Sequence, residues 1–188
     1  MHLSTEQLEA GLDHIKASPA HEGAVEHIVC RPANNERQPL TEAVLDVDQG
    51  LVGDNWQARH HEDKSGKPAN KDRQLTLMNA RAVALIAGER DRWQLAGDQF
   101  YVDLDLSDDN LPPGTRLALG SAVVEVTAEP HLGCAKFIER FGRDAVMFVN
   151  SPAGRALNLR GVNARIVTGG TVKVGDRVTR LAGETGNA

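Results

Sequence analysis

The stretch TRLALGSAVVEVT, residues 115–127, decides the fold class. TRLAL and AVVEVT each suit a short β-strand, and Gly120-Ser121 between them fills a two-residue hairpin turn, whose backbone needs the positive φ that glycine reaches without strain. The same signal recurs on both sides. VEHIVC (25–30), LTEAVLDV (40–47), QLTLM (74–78), QFYVDLDL (99–106), VNARIV (162–167) and TVKV (171–174) read as further strands. In QFYVDLDL, Phe100, Val102, Leu104 and Leu106 fall on one face and Asp103 and Asp105 on the other. Gly169-Gly170 is expected to turn a second hairpin. Many short strands joined by tight turns imply a mainly β architecture, a barrel or a sandwich.

Helical patterns interrupt the strands at 79–90, 135–141 and about 152–157. The N-terminus opens with a marked helix. Ser4 is placed as N-cap with Gln7 completing a capping box, Leu3 can staple onto Leu8, and Leu8, Leu12 and Ile15 line one face that packs on the main body. Pro19 limits it. Residues 54–72, DNWQARHHEDKSGKPANKD, follow neither period, and a loop of that length inside a compact domain is functional or disordered.

A chain of 188 residues, 40% hydrophobic, is long enough to bury one core. No apolar run reaches a membrane span and no signal-peptide pattern opens the chain, so a soluble, cytoplasmic protein without membrane association is expected. The net charge of -5 hides an asymmetry. From His131 to Arg180 nine Lys or Arg stand against three acids, a balance of +6 that leaves -11 for the remainder. Overall acidity argues against general nucleic-acid binding, whereas a local positive field favours an anionic ligand. A solvated mixed surface is the plain alternative.

The two cysteines, Cys30 and Cys134, lie too far apart in sequence for a zinc spacing and fit a reducing compartment. Cys30 closes an apolar strand and reads as buried and structural. Cys134 lies between the PHLG bend and the apolar stripe of Ala135, Phe137, Ile138 and Phe141, at the start of a short helix whose N–H groups stabilise a thiolate. Lys136, Arg140 and His131 are near it in sequence. It carries a soft metal or sulfur, or else it is an inert packed thiol. Arg73 can clamp a phosphate or carboxylate or pair with Asp72. His60 and His61 are adjacent and point apart, so they do not form a two-ligand helical pair. No Walker loop, no Gly-x-Ser-x-Gly elbow and no dinucleotide fingerprint occurs, and pyridoxal phosphate is not expected on this chain alone.

Taken in order, these pieces resemble the MOSC family, the domain named after the C-terminal part of molybdenum cofactor sulfurase. The resemblance is carried by LDVDQGLVGD (45–54), DRQLTLMNARAVALI (72–86), DLDLSDDNLPPGTRLALGSAVVEVT (103–127), Cys134, and GVNARIVTGGTVKVGDRV (161–178). It runs from about Val25 to Val178. Three departures are visible: Gly97-Asp98-Gln99-Phe100 stands where the family often has a Gly-Glu-Asn run before the central strand, Gly133 stands where a proline commonly precedes the cysteine, and ARHHEDKSGKPANK replaces a His-Gly-Gly-rich loop.

The resemblance implies a mainly β, closed or nearly closed barrel; with the residue reading above, an N-terminal helix is expected at 1–20, the barrel domain at 21–180 and a flexible tail at 181–188. It implies a molybdenum cofactor (molybdopterin) with Cys134 as catalytic residue and metal ligand. Arg73, Arg160, Arg165, Asp54 and His131 become candidates for cofactor binding. The activity it points to is reduction of small N-hydroxylated compounds with electrons from a donor protein, since the chain shows no flavin, haem or iron–sulfur motif. The alternatives are a Cys134 persulfide that relays sulfur from a desulfurase, and a non-enzymatic binding module.

Overall fold

Residues 75–79, LTLMN, are buried along their whole length, so both faces of the sheet that holds them must be covered. The computed structural model, which describes residues 2–61 and 68–182 with no side chains at 59–61, shows how. In chain order the elements are α1 (Thr5–Ala10), α2 (Leu12–Lys16), β1 (Glu22–Cys30), β2 (Gln38–Leu40), β3 (Glu42–Asp46), β4 (Gly50–Leu51), α3 (Trp56–His61) and β5 (Leu75–Asn79). There follow α4 (Ala80–Ala87), β6 (Phe100–Val102), β7 (Arg116–Leu119), β8 (Ala122–Val126), α5 (Ala135–Phe141), α6 (Arg143–Asn150), α7 (Pro152–Ala156), β9 (Val162–Thr168), β10 (Gly170–Lys173) and β11 (Arg177–Arg180). Short 3-10 turns occupy Lys71–Arg73 and Arg90–Ala96.

Seven strands close a mixed barrel in the order β11-β7-β8-β9-β5-β6-β1, with β1 pairing back onto β11 and β2 added beside β1. Among the described residues only β5 and β6 run parallel, because α4 and the Arg90–Ala96 turn carry the chain across between them. Period-two alternation splits the strands between two cores. Ile28, Leu75, Leu77, Phe100 and Val102 point into the barrel. Val29, Met78 and Tyr101 point outward, where α1, α2, α4, α5 and α6 cover them with Leu8, Ile15, Val83, Phe137, Phe141 and Phe148. Each such fully buried large side chain stabilises the fold by roughly 1.5–3 kcal/mol. The Tyr101 hydroxyl, enclosed in the outer core, donates to the Trp93 carbonyl at 2.7 Å.

The Gly120-Ser121 hairpin joins β7 to β8 as read from the sequence, with Gly120 at φ 56°. Gly169-Gly170 does not turn a hairpin. β10 leaves the barrel and pairs with β3 in a separate three-stranded sheet, β10-β3-β4. The glycines there supply space: a Cβ at Gly169 would lie 2.8 Å from the Leu45 carbonyl, and one at Gly170 2.7 Å from the Ala122 nitrogen. LTEAVLDV likewise divides at Thr41 between the two sheets.

QFYVDLDL keeps its in-facing residues but pairs as a strand only at 100–102. The N-terminal helix is two helices interrupted at Gly11, whose missing Cβ admits Leu85 of α4. The Ser4–Gln7 capping box is present. Residues 54–72 are not wholly irregular: Asp54 accepts the Trp56 N–H at 2.9 Å and starts α3. Residues 62–67, and 183–188 of the expected tail, lie outside the described residues. Among the described residues no helix is long and apolar enough to cross a membrane.

Candidate functional site

After β8 the chain crosses one end of the barrel as residues 127–133 before starting α5. Four hydrogen bonds fix this crossing: the Thr127 hydroxyl donates to the Asp72 carbonyl (2.6 Å), the Asn163 amide donates to the carbonyls of Glu129 and Pro130 (3.1 and 3.3 Å), and the Gly133 N–H donates to Asn150 Oδ1 (3.0 Å). A proline at 133 would remove that last donor. A Cβ there would also lie 3.1 Å from Val149 Cγ2, so the departure from Pro-Cys has a packing reason.

Cys134 is the N-cap of α5, in extended backbone with φ -125° and ψ 179°, and its side chain makes no capping hydrogen bond. The thiol is exposed, whereas Cys30 is buried in the barrel core. Burial pushes the Cys30 thiol pKa up, with the nearby Asp54 carboxylate adding to the effect.

Cys134 stands in the wall of a cleft of about 410 Å³ whose charged lining residues are Arg31, Arg37, Arg73, Lys136, Arg140 and Arg160. No carboxylate side chain lines it among the described residues. Three of the cations are anchored from behind. Arg31 pairs with Asp54, Arg160 with Asp98 and Arg73 with Glu129. The Arg160 guanidinium also lies over the Phe137 ring, 5.0 Å from its centroid.

The other three meet only neutral acceptors among the described residues. Arg37 donates to the Glu36 carbonyl, Arg140 to the Leu95 carbonyl, and Lys136 to Asn34 Oδ1 and Asn35 Oδ1 at 3.1 and 3.0 Å. Burial, then the charges of Arg140 and Arg31, lower the pKa of Arg37. Like charges held together without a counter-charge mark an anion site.

The candidates read from sequence separate accordingly. Cys134, Arg73, Arg160 and His131 converge on the cleft. Asp54 does not face it: its fully enclosed carboxylate accepts from the Arg31 side chain and from the backbone N–H groups of Arg31 and Trp56. It is the support of Arg31, which the sequence reading passed over. Arg165 lies outside the cleft, pairing with Glu125 across β8–β9 and with Asp72. His60 and His61 end α3, and their side chains lie outside what is described.

Arg31 and Arg37 were missed because they are the two ends of RPANNER (31–37), a short aperiodic polar link between β1 and β2. Its one signal was two arginines and two asparagines with no apolar residue except Ala33 and Pro32.

The profile of the MOSC domain matches residues 54–179. The chain belongs to the MOSC domain family. Solved structures with a similar fold include the YUAD protein from Bacillus subtilis (17% identity, 84% of this chain and 94% of that one, TM-score 0.57). YiiM from Escherichia coli is similar at 18% identity, over 85% and 70%, with a TM-score of 0.54. YiiM from Geobacillus stearothermophilus is similar at 13% identity, over 89% and 76%, with a TM-score of 0.53. No curated protein matches the chain in sequence. MOSC domains are in general associated with molybdenum cofactor binding.

The residues of this MOSC domain fit such a group. Among the described residues no cluster of three His, Cys, Asp or Glu could hold a metal ion, which is compatible with a group that brings its metal's other ligands with it. A single soft thiolate suits such a metal. Buried Nε groups of Arg37 and Arg160 have no partner in the cleft wall, and the unpaired cations suit a phosphate.

Proposed function

We propose that this MOSC domain binds the molybdenum cofactor in the basic cleft, with Cys134 as the protein ligand to the metal, and reduces N-hydroxylated compounds. The observation that carries the reading is the exposed Cys134 thiol, which makes no capping hydrogen bond, in the wall of a cleft lined, among the described residues, by six cations and no acid. When bound, the cofactor supplies the redox centre for a two-electron reduction. The balance is one N-hydroxyl group, two electrons and two protons giving the N–H compound and water, so an electron-donor protein is required as partner.

The chain's own residues bind and orient. Arg37, Lys136 and Arg140 hold the anionic group, each able to exchange a neutral acceptor for an ionised one and so to gain a charge–charge attraction. Arg31 and Arg160 are fixed by Asp54 and Asp98, so their orientation is set before the ligand arrives. Trp56, in the cleft wall and almost fully buried, supplies an apolar surface beside them.

The test is turnover. Protein loaded with cofactor and driven by a reduced viologen dye is expected to convert an N-hydroxylated base to the amine, and Cys134→Ser to lose the activity. Loaded protein that turns over neither hydroxylated bases nor amidoximes would contradict the reductase reading. The exposed thiol alone favours a second reading, sulfur carriage as a Cys134 persulfide, which mass spectrometry would show as one added sulfur atom. That reading leaves the unpaired cations without a role.

A further inference from the structure

Two enclosed polar atoms face each other behind the cleft. Asp98 follows the Arg90–Ala96 turn, and its side chain is 0% exposed. Its Oδ2 accepts from Arg160 Nη1 at 2.6 Å. Its Oδ1 is buried without a hydrogen bond, and so is Nδ1 of His131, which lies 3.5 Å away. Leaving a buried donor and acceptor unmade costs about 1–3 kcal/mol for each, which favours a bond between these two. His131 keeps 16% of its side chain exposed and forms part of the wall of both the Cys134 cleft and a second cavity of about 270 Å³ on its other side.

We infer that Asp98 fixes His131 in the tautomer that carries its proton on Nδ1, so that Nε2 presents a lone pair to a ligand in these cavities. Asp98 acts through His131 and is a positioning residue. Burial pushes its pKa up, opposed by the paired Arg160 guanidinium and by Arg31; the carboxylate stays ionised because a protonated one would leave Arg160, itself only 8% exposed at the side chain, without a counter-charge. The ring stays neutral: burial, then the charges of Arg160, Arg31 and Arg73, hold its pKa well below the ordinary value. The cleft's six cations can only donate hydrogen bonds. An acceptor among them adds a second requirement: the ligand must offer an N–H or O–H group there as well as an anionic one. The inference does not depend on the cofactor reading, since it concerns the protein alone.

The experiment is a two-bond ¹H–¹⁵N correlation spectrum of the full chain, ¹⁵N-labelled at histidine and purified without added ligand, with His131 assigned by its loss in His131→Gln. The expected pattern is a neutral ring with a protonated Nδ1 and an unprotonated Nε2. In Asp98→Asn the new amide oxygen must face Arg160, its NH₂ must face His131, and the ring is expected to switch to the Nε2–H tautomer. A wild-type ring carrying its proton on Nε2, or doubly protonated at pH 7.5, would overturn the inference. The wild-type spectrum alone decides this if the variant does not fold.

Discussion

Arg31 and Asp54 face each other in a two-pronged pair, Nε to Oδ2 at 2.9 Å and Nη2 to Oδ1 at 3.0 Å, with side chains 5% and 0% exposed. The pair ties β1 to the Gly-x-x-Gly-Asp turn after β4 and aims a guanidinium at the cleft. Removing one partner of a buried pair strands the other charge. Asp54→Ala is therefore expected to destabilise the fold by about 3–5 kcal/mol in urea unfolding. A loss below about 1 kcal/mol would show that the pair is hydrated and does not position Arg31.

Lys136 and Arg165 were equal members of the basic C-terminal third when only the charges could be counted. Lys136 faces the cleft with amide oxygens as partners, and Arg165 faces a pair of acids on the barrel wall. Lys136→Ala is expected to weaken binding of inorganic pyrophosphate about tenfold, the effect of losing one charged hydrogen bond. Arg165→Ala should leave that affinity unchanged. Isothermal titration calorimetry at low salt checks both, and equal effects would place the anion elsewhere.

The two thiols provide a label-based check. Iodoacetamide on the native chain should modify Cys134 at least about tenfold faster than Cys30, because the barrel core must open before Cys30 can react. Peptide mass spectrometry reads the ratio. Equal rates would mean that the core around Cys30 opens readily or that Cys134 is shielded.

His131 gives the stability a pH dependence whose sign is fixed. Its folded-state pKa lies well below the ordinary 6.5. As pH falls through about 6.5 the unfolded chain takes up a proton that the folded chain refuses, so the stability present above that pH is lost below it. The slope from one such group approaches about 1.4 kcal/mol per pH unit. Urea unfolding from pH 8 to 5 should show the decline, and His131→Gln should reduce its slope. Part will remain, since burial also lowers the pKa of His27.

Local signals were legible in proportion to how locally they act. α5 begins and ends where its apolar stripe does, and the Gly120 hairpin follows from one residue's backbone freedom. β11, which closes the barrel, is only RVTR and has one buried residue. Nothing in four residues says that they meet β1 and β7. α6 was hidden because Gly142, at φ 87°, ends one helix and starts the next. Cys134, named from the family pattern, and Arg160, named from the basic C-terminal third, both line the cleft. Arg31, Arg37 and Asp98 were not legible as site residues, because the cleft is assembled by the closure of the barrel and not by any one segment.

The most direct test of the central claim is the molybdenum and pterin content of the chain purified from a cofactor-producing host, wild type beside Cys134→Ser. The account predicts close to one molybdenum per wild-type chain, with pterin in equal amount, and loss of the metal from the variant. Wild-type protein free of both, from a host confirmed to make the cofactor, would contradict it.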